Sequence, residues 1–155
     1  MKVYLVQHAE PKRKEEDPLR SISDKGREDI QRVAKFVKGC LGIHVDKIVH
    51  SGKVRAKQTA EVIGEYLSPS RGIKMDDDLQ PLADPKIWGD RLFETSADIM
   101  IVGHLPHLGK LVSYLITSDE SKGIVAFRMA GIVCLDRNES HHWTVQWMIT
   151  PEMVP

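Results

Sequence analysis

An α/β layered fold with a mainly parallel sheet and an antiparallel edge is the architecture this sequence predicts. Two patterns carry that expectation. Short apolar runs rich in β-branched residues alternate with stretches whose apolar residues recur at helical spacing. Beyond residue 123 the helical pattern stops and strand-like runs succeed one another, the mark of an antiparallel edge.

The first run, residues 2–7 (KVYLVQ), is compact and apolar and reads as a buried strand. A polar loop over residues 11–19 follows. Ser23 can cap a helix reaching to about residue 41, because Ile30, Val33, Ala34, Val37 and Leu41 share one face and Gly39 and Gly42 mark its end. Residues 46–50 (DKIVH) form a second short strand, and residues 52–67 a second helix with Val62, Ile63, Tyr66 and Leu67 inward. Residues 68–96 are broken by Pro69, Pro81 and Pro85, with a short helix expected at 86–94. Residues 98–102 (DIMIV) give the third strand. Pro106 then sits where a helix can begin, with Leu108, Leu111, Val112, Leu115 and Ile116 as its apolar stripe. Residues 124–127, 132–135 and 143–149 read as strands, with a turn over 137–142 between the last two.

A length of 155 residues fits one domain, expected to span residues 1–155. Lys+Arg and Asp+Glu both number 22, so no global field favours nucleic acid or an anionic membrane, and neither is expected as a partner. A phosphate site would have to be a local pocket. Cys40 and Cys134 have no metal-like spacing and are expected to be two buried thiols in a reduced cytoplasm. The opening apolar run is too short for a signal peptide or a membrane span, which makes the expected location cytoplasmic.

The reactive residue types fall where such folds bind ligands. Gln7 and His8 follow the first strand, Ser51 and Arg55 the second, Gly103 and His104 the third. Ligand sites gather beyond the carboxyl ends of parallel strands, so three separated segments deliver two histidines and one arginine to one edge. Phosphoryl transfer through histidine needs a neutral imidazole held in one tautomer. It also needs fixed donors for the non-bridging oxygens, and a guanidinium, a second imidazole and helix N-termini can supply them. Singly, each residue has an ordinary explanation. A histidine after a strand is commonly structural, a first-turn arginine is commonly a solvated surface group, and His104 could satisfy a loop carbonyl. Jointly the three are more persuasive. His104 and His107 have a superficially metal-like spacing, but Pro106 interrupts the helix it would require, and His141 and His142 lie in a turn without ligand partners. No metal is therefore expected. His44 and His50 read as structural, Trp143 and Trp147 as packing residues, and the Lys12, Arg13, Lys14 run as a solvated loop.

Four segments, VYLVQHAE (3–10), RSISDKG (20–26), SGKVRAKQTA (51–60) and VGHLP (102–106), resemble in order the histidine phosphatase superfamily, which includes phosphoglycerate mutases. The resemblance is greatest to its short SixA-type phosphohistidine phosphatase branch. It implies a phosphoglycerate mutase-like three-layer α/β/α sandwich and a phosphatase with a covalent phosphohistidine intermediate and no cofactor. His8 would attack phosphorus, and Arg55 and His104 would bind its oxygens. Gln7, Arg20 and Ser51 would add phosphate contacts. The substrate implied is phosphohistidine in a protein, or a small phosphorylated molecule. Two departures stand out. The family motif Arg-His-Gly is replaced by Gln7, His8 and Ala9. Losing one of two phosphate-binding arginines would weaken transition-state binding by roughly 2–4 kcal/mol, about a hundredfold or more in rate, although Arg20 could compensate in part. Where larger relatives place a glutamate as general acid, Asp84 is the only nearby carboxylate, and a phosphoramidate leaving group needs less acid help. The Gln7 replacement also leaves a second reading: a weakened or inactive phospho-ligand binding module.

Overall fold

A computed structural model describes residues 1–155. Its elements in chain order are β1 (Lys2–Gln7), α1 (Asp24–Gly39), β2 (Lys47–His50), α2 (Val54–Leu67), β3 (Ile73–Met75), α3 (Pro85–Glu94), β4 (Ile99–Gly103), α4 (His107–Thr117), β5 (Ile132–Arg137) and β6 (Trp143–Ile149). They form one six-stranded sheet in the order β3-β2-β4-β1-β5-β6. The first four strands are mutually parallel, and β5 and β6 close one side antiparallel.

The period-two alternation of the strands sorts their side chains onto two cores. Tyr4, Val6, Ile48, Met100, Val102, Ile132 and Cys134 face α1 and α2 through Ile30, Val33, Val37, Ala60 and Ile63. Val3, Leu5, Val49, Ile99, Ile101, Val133 and Leu135 face α3 and α4 through Trp88, Leu92, Leu108, Leu111 and Leu115. Helices thus cover both faces, which is why β1 and β4 read as unbroken apolar runs.

Register positions the site. Gln7 pairs with Gly103, and His50 pairs with Val102. The residues that leave the sheet next, His8, Ser51 and His104, therefore emerge from neighbouring strands at one edge. The His8 N–H extends the ladder by one bond to the Gly103 carbonyl, 3.1 Å away.

Several boundaries differ from the sequence reading. Residues 124–127 form no strand and pair with none of the six strands of the sheet. Only Met129 bridges to Gln7, while Phe127 anchors the extended segment in the core. The three-residue β3 is too short to show alternation. The α2 helix starts at Val54, since Gly52 turns the chain at a φ of 88° and Lys53 is still extended. Pro106 precedes α4 as its cap residue rather than opening its first turn, and α1 stops at Gly39. Cys40, expected to be buried, is exposed at the α1 C-cap, while Cys134 is buried; both thiols are free. No helix is long and apolar enough to cross a membrane.

Candidate active site

His8 sits directly beyond β1 and is 9% exposed. Its Nδ1 lies 2.8 Å from the Ala9 carbonyl oxygen. A carbonyl can only accept, so Nδ1 carries the proton and the lone pair of a neutral ring is on Nε2. Burial is the main reason its pKa falls to about 4; the Ala9 bond opposes the shift, and the Arg55 and Arg20 guanidinium groups add to it. At neutral pH the ring is uncharged.

His104, beyond β4, faces it with ring centroids 5.0 Å apart and is 2% exposed. Its Nε2 lies 2.6 Å from Ser51 Oγ, while Nδ1 is buried without a partner. Burial lowers its pKa to about 3, with His8, Arg55, Lys53 and His107 contributing. Arg55, in the first turn of α2, is half-buried, and its Nε also lacks a partner. Burial lowers its pKa first, and the Arg20 charge second. No carboxylate is among the charges acting on His8, His104 or Arg55. Unsatisfied buried donors around neutral imidazoles and uncompensated cations are what an anion site requires.

The surrounding segments hold these groups through α2. The Ala9 N–H donates to Thr59 Oγ1 at 2.9 Å, and the Thr59 hydroxyl donates to the Arg55 carbonyl at 2.7 Å. Gln58 Oε1 accepts from the Ile22 N–H at 2.8 Å. Gln80 Nε2 donates to the Ser51 carbonyl at 2.5 Å. Gln58 and Thr59 follow Arg55 by three and four residues, a spacing that puts them on its side of the helix and could have flagged them. Gln80 left no such signal.

Arg20 lies on the loop returning towards α1, in a left-handed conformation with φ 51°. Its N–H reaches the Asp17 carbonyl at 2.9 Å, and the Asp17 carboxylate accepts the N–H groups of Leu19 and Ser21. Gln7 is half-buried, its Oε1 fully enclosed without a partner. Asp84 is placed differently. It is exposed, accepts the Lys86 N–H as N-cap of α3, and its charge bears on His107 and Tyr114. His50 accepts the Gly52 N–H through Nδ1, and His44 is exposed. His107 is wholly buried, with neither ring nitrogen paired. No group of three or more His, Cys, Asp or Glu side chains is gathered closely enough to hold a metal ion. Clefts bounded by Arg32, Phe36 and Cys40, and by His44, Asp46 and Ser68, lie elsewhere and include none of the site residues.

Comparison with known proteins locates this arrangement. The model of the histidine phosphatase superfamily (branch 1) matches residues 3–83. Phosphohistidine phosphatase SixA of Escherichia coli strain K12 is 24% identical over 156 residues, covering 97% of this chain and 94% of that protein. A solved structure of the protein histidine phosphatase SixA complexed with tungstate superposes with a TM-score of 0.85 at 24% identity, over 97% of each chain. Phosphoglycerate mutase from Plasmodium falciparum gives 0.71 at 16% identity, over 94% of this chain and 88% of that one. The architecture is thus phosphoglycerate mutase-like.

Proposed function

The chain belongs to the histidine phosphatase superfamily, and from that membership we propose that it hydrolyses phosphorylated substrates by passing the phosphoryl group through His8. The observation that carries this reading is the pairing of a neutral, tautomer-fixed His8, its Nε2 lone pair available, with the unpartnered Nδ1 of His104 and Nε of Arg55.

In the first step the Nε2 lone pair of His8 attacks phosphorus. The N–P bond forms as the bond to the leaving group breaks, and the leaving group departs with the electron pair. As Nε2 becomes quaternised, positive charge grows on the ring, and the Ala9 carbonyl facing Nδ1–H stabilises it. Arg55 holds the non-bridging oxygens with its fork, Arg20 adds charge beside His8, and Gln7 offers only its amide. A Ser51 hydroxyl that donates to Nε2 of His104 leaves the proton of that neutral ring on Nδ1, where it serves as a donor to the oxyanion. In the second step a water oxygen attacks phosphorus, the N–P bond breaks with its electron pair returning to His8 Nε2, and inorganic phosphate departs carrying the water's oxygen and protons.

The substrate class we propose is phosphohistidine in a protein. SixA, the relative matched over nearly the whole chain, is named a phosphohistidine phosphatase. The carboxylate nearest in sequence to an acid role, Asp84, is occupied as a helix cap. A protonated imidazole leaves phosphorus without a separate acid, whereas an alkoxide does not.

The test is a rapid-quench experiment with a phosphohistidine-bearing protein and an activated aryl phosphate. The wild type is expected to release phosphate and to yield an acid-labile, alkali-stable adduct on His8. His8→Ala should do neither, and equal turnover by the two proteins would sink the reading. Binding of phosphate without turnover, with activity gained in Gln7→Arg, would identify the weakened binding module instead.

A further inference from the structure

We propose that Ser51 is a positioning residue of this site: its hydroxyl donates to Nε2 of His104 and so keeps the one proton of that ring on Nδ1, while the Gln80 amide holds Ser51 in place to do so. The inference rests on the reading of the site as one that grips a phosphoryl group. It gives Ser51 a role exerted through His104 in place of a phosphate contact.

Hydrogen-bond accounting sets the direction of the bond. Ser51 is wholly buried and His104 nearly so, and neither can turn to bulk water for a missing partner. Burial is the main reason the His104 pKa lies near 3, so the neutral ring carries one proton, on Nδ1 or on Nε2. Ser51 Oγ lies 2.6 Å from Nε2 and accepts the Lys53 N–H in a long bond of 3.4 Å. Nδ1 has no partner. With the proton on Nε2, the ring would donate to Oγ. The Ser51 hydroxyl hydrogen would then lack an acceptor, and the Nδ1 lone pair would lack a donor, leaving two buried groups unsatisfied. With the proton on Nδ1, the hydroxyl donates to Nε2, and only Nδ1–H is left over. That single donor belongs to a ring whose centroid is 5.0 Å from that of His8, where a phosphoryl oxygen can complete it. A serine hydroxyl engaged in this way has no hydrogen left for phosphate.

The Ser51 backbone is fixed on every side. His50 before it is registered against Val102 in the sheet. Gly52 after it turns the chain at a φ of 88° and donates its N–H to His50 Nδ1 at 3.0 Å. Gln80 Nε2 donates to the Ser51 carbonyl at 2.5 Å, from a turn that follows the fully buried Leu79. A backbone held this firmly fixes where Oγ stands, so Gln80 acts on His104 through Ser51.

The test combines nitrogen NMR of isotope-labelled histidines, which separates the Nδ1–H from the Nε2–H form, with turnover of an activated aryl phosphate and binding of vanadate. The His104 signal is assigned by its loss in His104→Gln. The wild type should carry the proton on Nδ1. In Ser51→Ala a share of it should move to Nε2, and kcat should fall about tenfold or more. Ser51→Thr, which keeps the hydroxyl, should restore both tautomer and rate. Gln80→Met should shift the tautomer in the same direction with a smaller loss of rate, and should add little to Ser51→Ala in the double variant. A wild type that is active but carries the His104 proton on Nε2 overturns the assignment and leaves the phosphate site standing. So does a Ser51→Ala protein that loses rate or vanadate affinity with its tautomer unchanged, since Ser51 would then be a structural residue or a phosphate ligand. A wild type that neither turns over the ester nor binds vanadate overturns the reading of the site and this inference with it. Should the added methyl of Ser51→Thr prevent folding, the spectra of the wild type and Ser51→Ala still decide.

Discussion

A buried imidazole with no carboxylate beside it stays uncharged at neutral pH, and that condition sets the behaviour of His8. Its pKa near 4 keeps the ring neutral well below the ordinary histidine range. The acid limb of kcat/KM, corrected for ionisation of the substrate, should therefore fall near pH 4 and not near 6.5. A limb at the ordinary value would show that His8 is not the group titrating in the free enzyme. Asp84 allows a clean separation of two roles. As a cap alone, Asp84→Ala should lose about 1 kcal/mol of stability and Asp84→Asn almost nothing, both with unchanged turnover of alkyl phosphates. As a proton donor, Asp84→Asn should instead lose turnover and keep stability, so thermal melts and rates of the one variant distinguish them. The candidate residues that were legible in the sequence are those fixed by strand ends: His8, Ser51 and His104 are placed by register alone. Gln80 was not legible, because its placement depends on the path of a turn that no periodicity encodes.

At the scale of elements, α1 and α2 act as clamps on the loop that carries His8. The start of α1 presses on Glu10: the Ser23 N–H reaches the Glu10 carbonyl at 2.8 Å, and the Ser23 hydroxyl donates to Glu10 Oε1 at 2.9 Å. A Cβ at Gly26 would overlap the Glu10 backbone. Alanine for glycine inside a helix ordinarily gains about 1 kcal/mol, but overpacking against backbone costs about 1–3 kcal/mol. Gly26→Ala should therefore destabilise the protein in urea and reduce kcat, since Glu10 is two residues from His8. A stabilised, fully active Gly26→Ala would remove this contact from the account. Thr59→Val, close in shape, leaves the Ala9 N–H unsatisfied and should cost about 1–3 kcal/mol, with a fall in kcat/KM as His8 loses its tether. The helices α1 and α4 were legible because each presents one apolar face over several turns, and β1 because burial on both faces makes it an unbroken apolar run. Residues 124–127 have strand composition yet no strand, because composition supplies no pairing partner and which segments pair is settled by the whole sheet.

Across the whole molecule, charges balance at 22 of each sign, so acid sensitivity will come from particular buried groups and not from general repulsion. Three of these are histidines gathered around the carboxyl edge of the sheet. His8 and His107 have pKa values near 4 and His104 near 3, each lowered chiefly by burial. For His107 the charges of Asp84 and Asp78 oppose the shift and that of His104 faces it, and burial still prevails. A folded pKa below the unfolded value means that the unfolded chain binds more protons in the interval between them. Stability is then full above pH 6.5 and is lost as pH falls towards 4, by about 1.4 kcal/mol per pH unit for each such group. Asp29, whose carboxyl is held low by Lys25 and Arg32 against its burial, loses its stabilising contribution only as pH falls below the ordinary carboxylate range, outside that interval. Urea unfolding at pH 7 and pH 5 should consequently show a marked drop in midpoint at the lower pH. His107→Leu should lessen that drop and leave stability at pH 7 unchanged or higher, because neither nitrogen of His107 has a partner to lose. Equal midpoints at the two pH values would mean that these rings are already charged, or open to water, in the folded protein. In that case the argument for a neutral nucleophile at His8 would fail together with the stability argument.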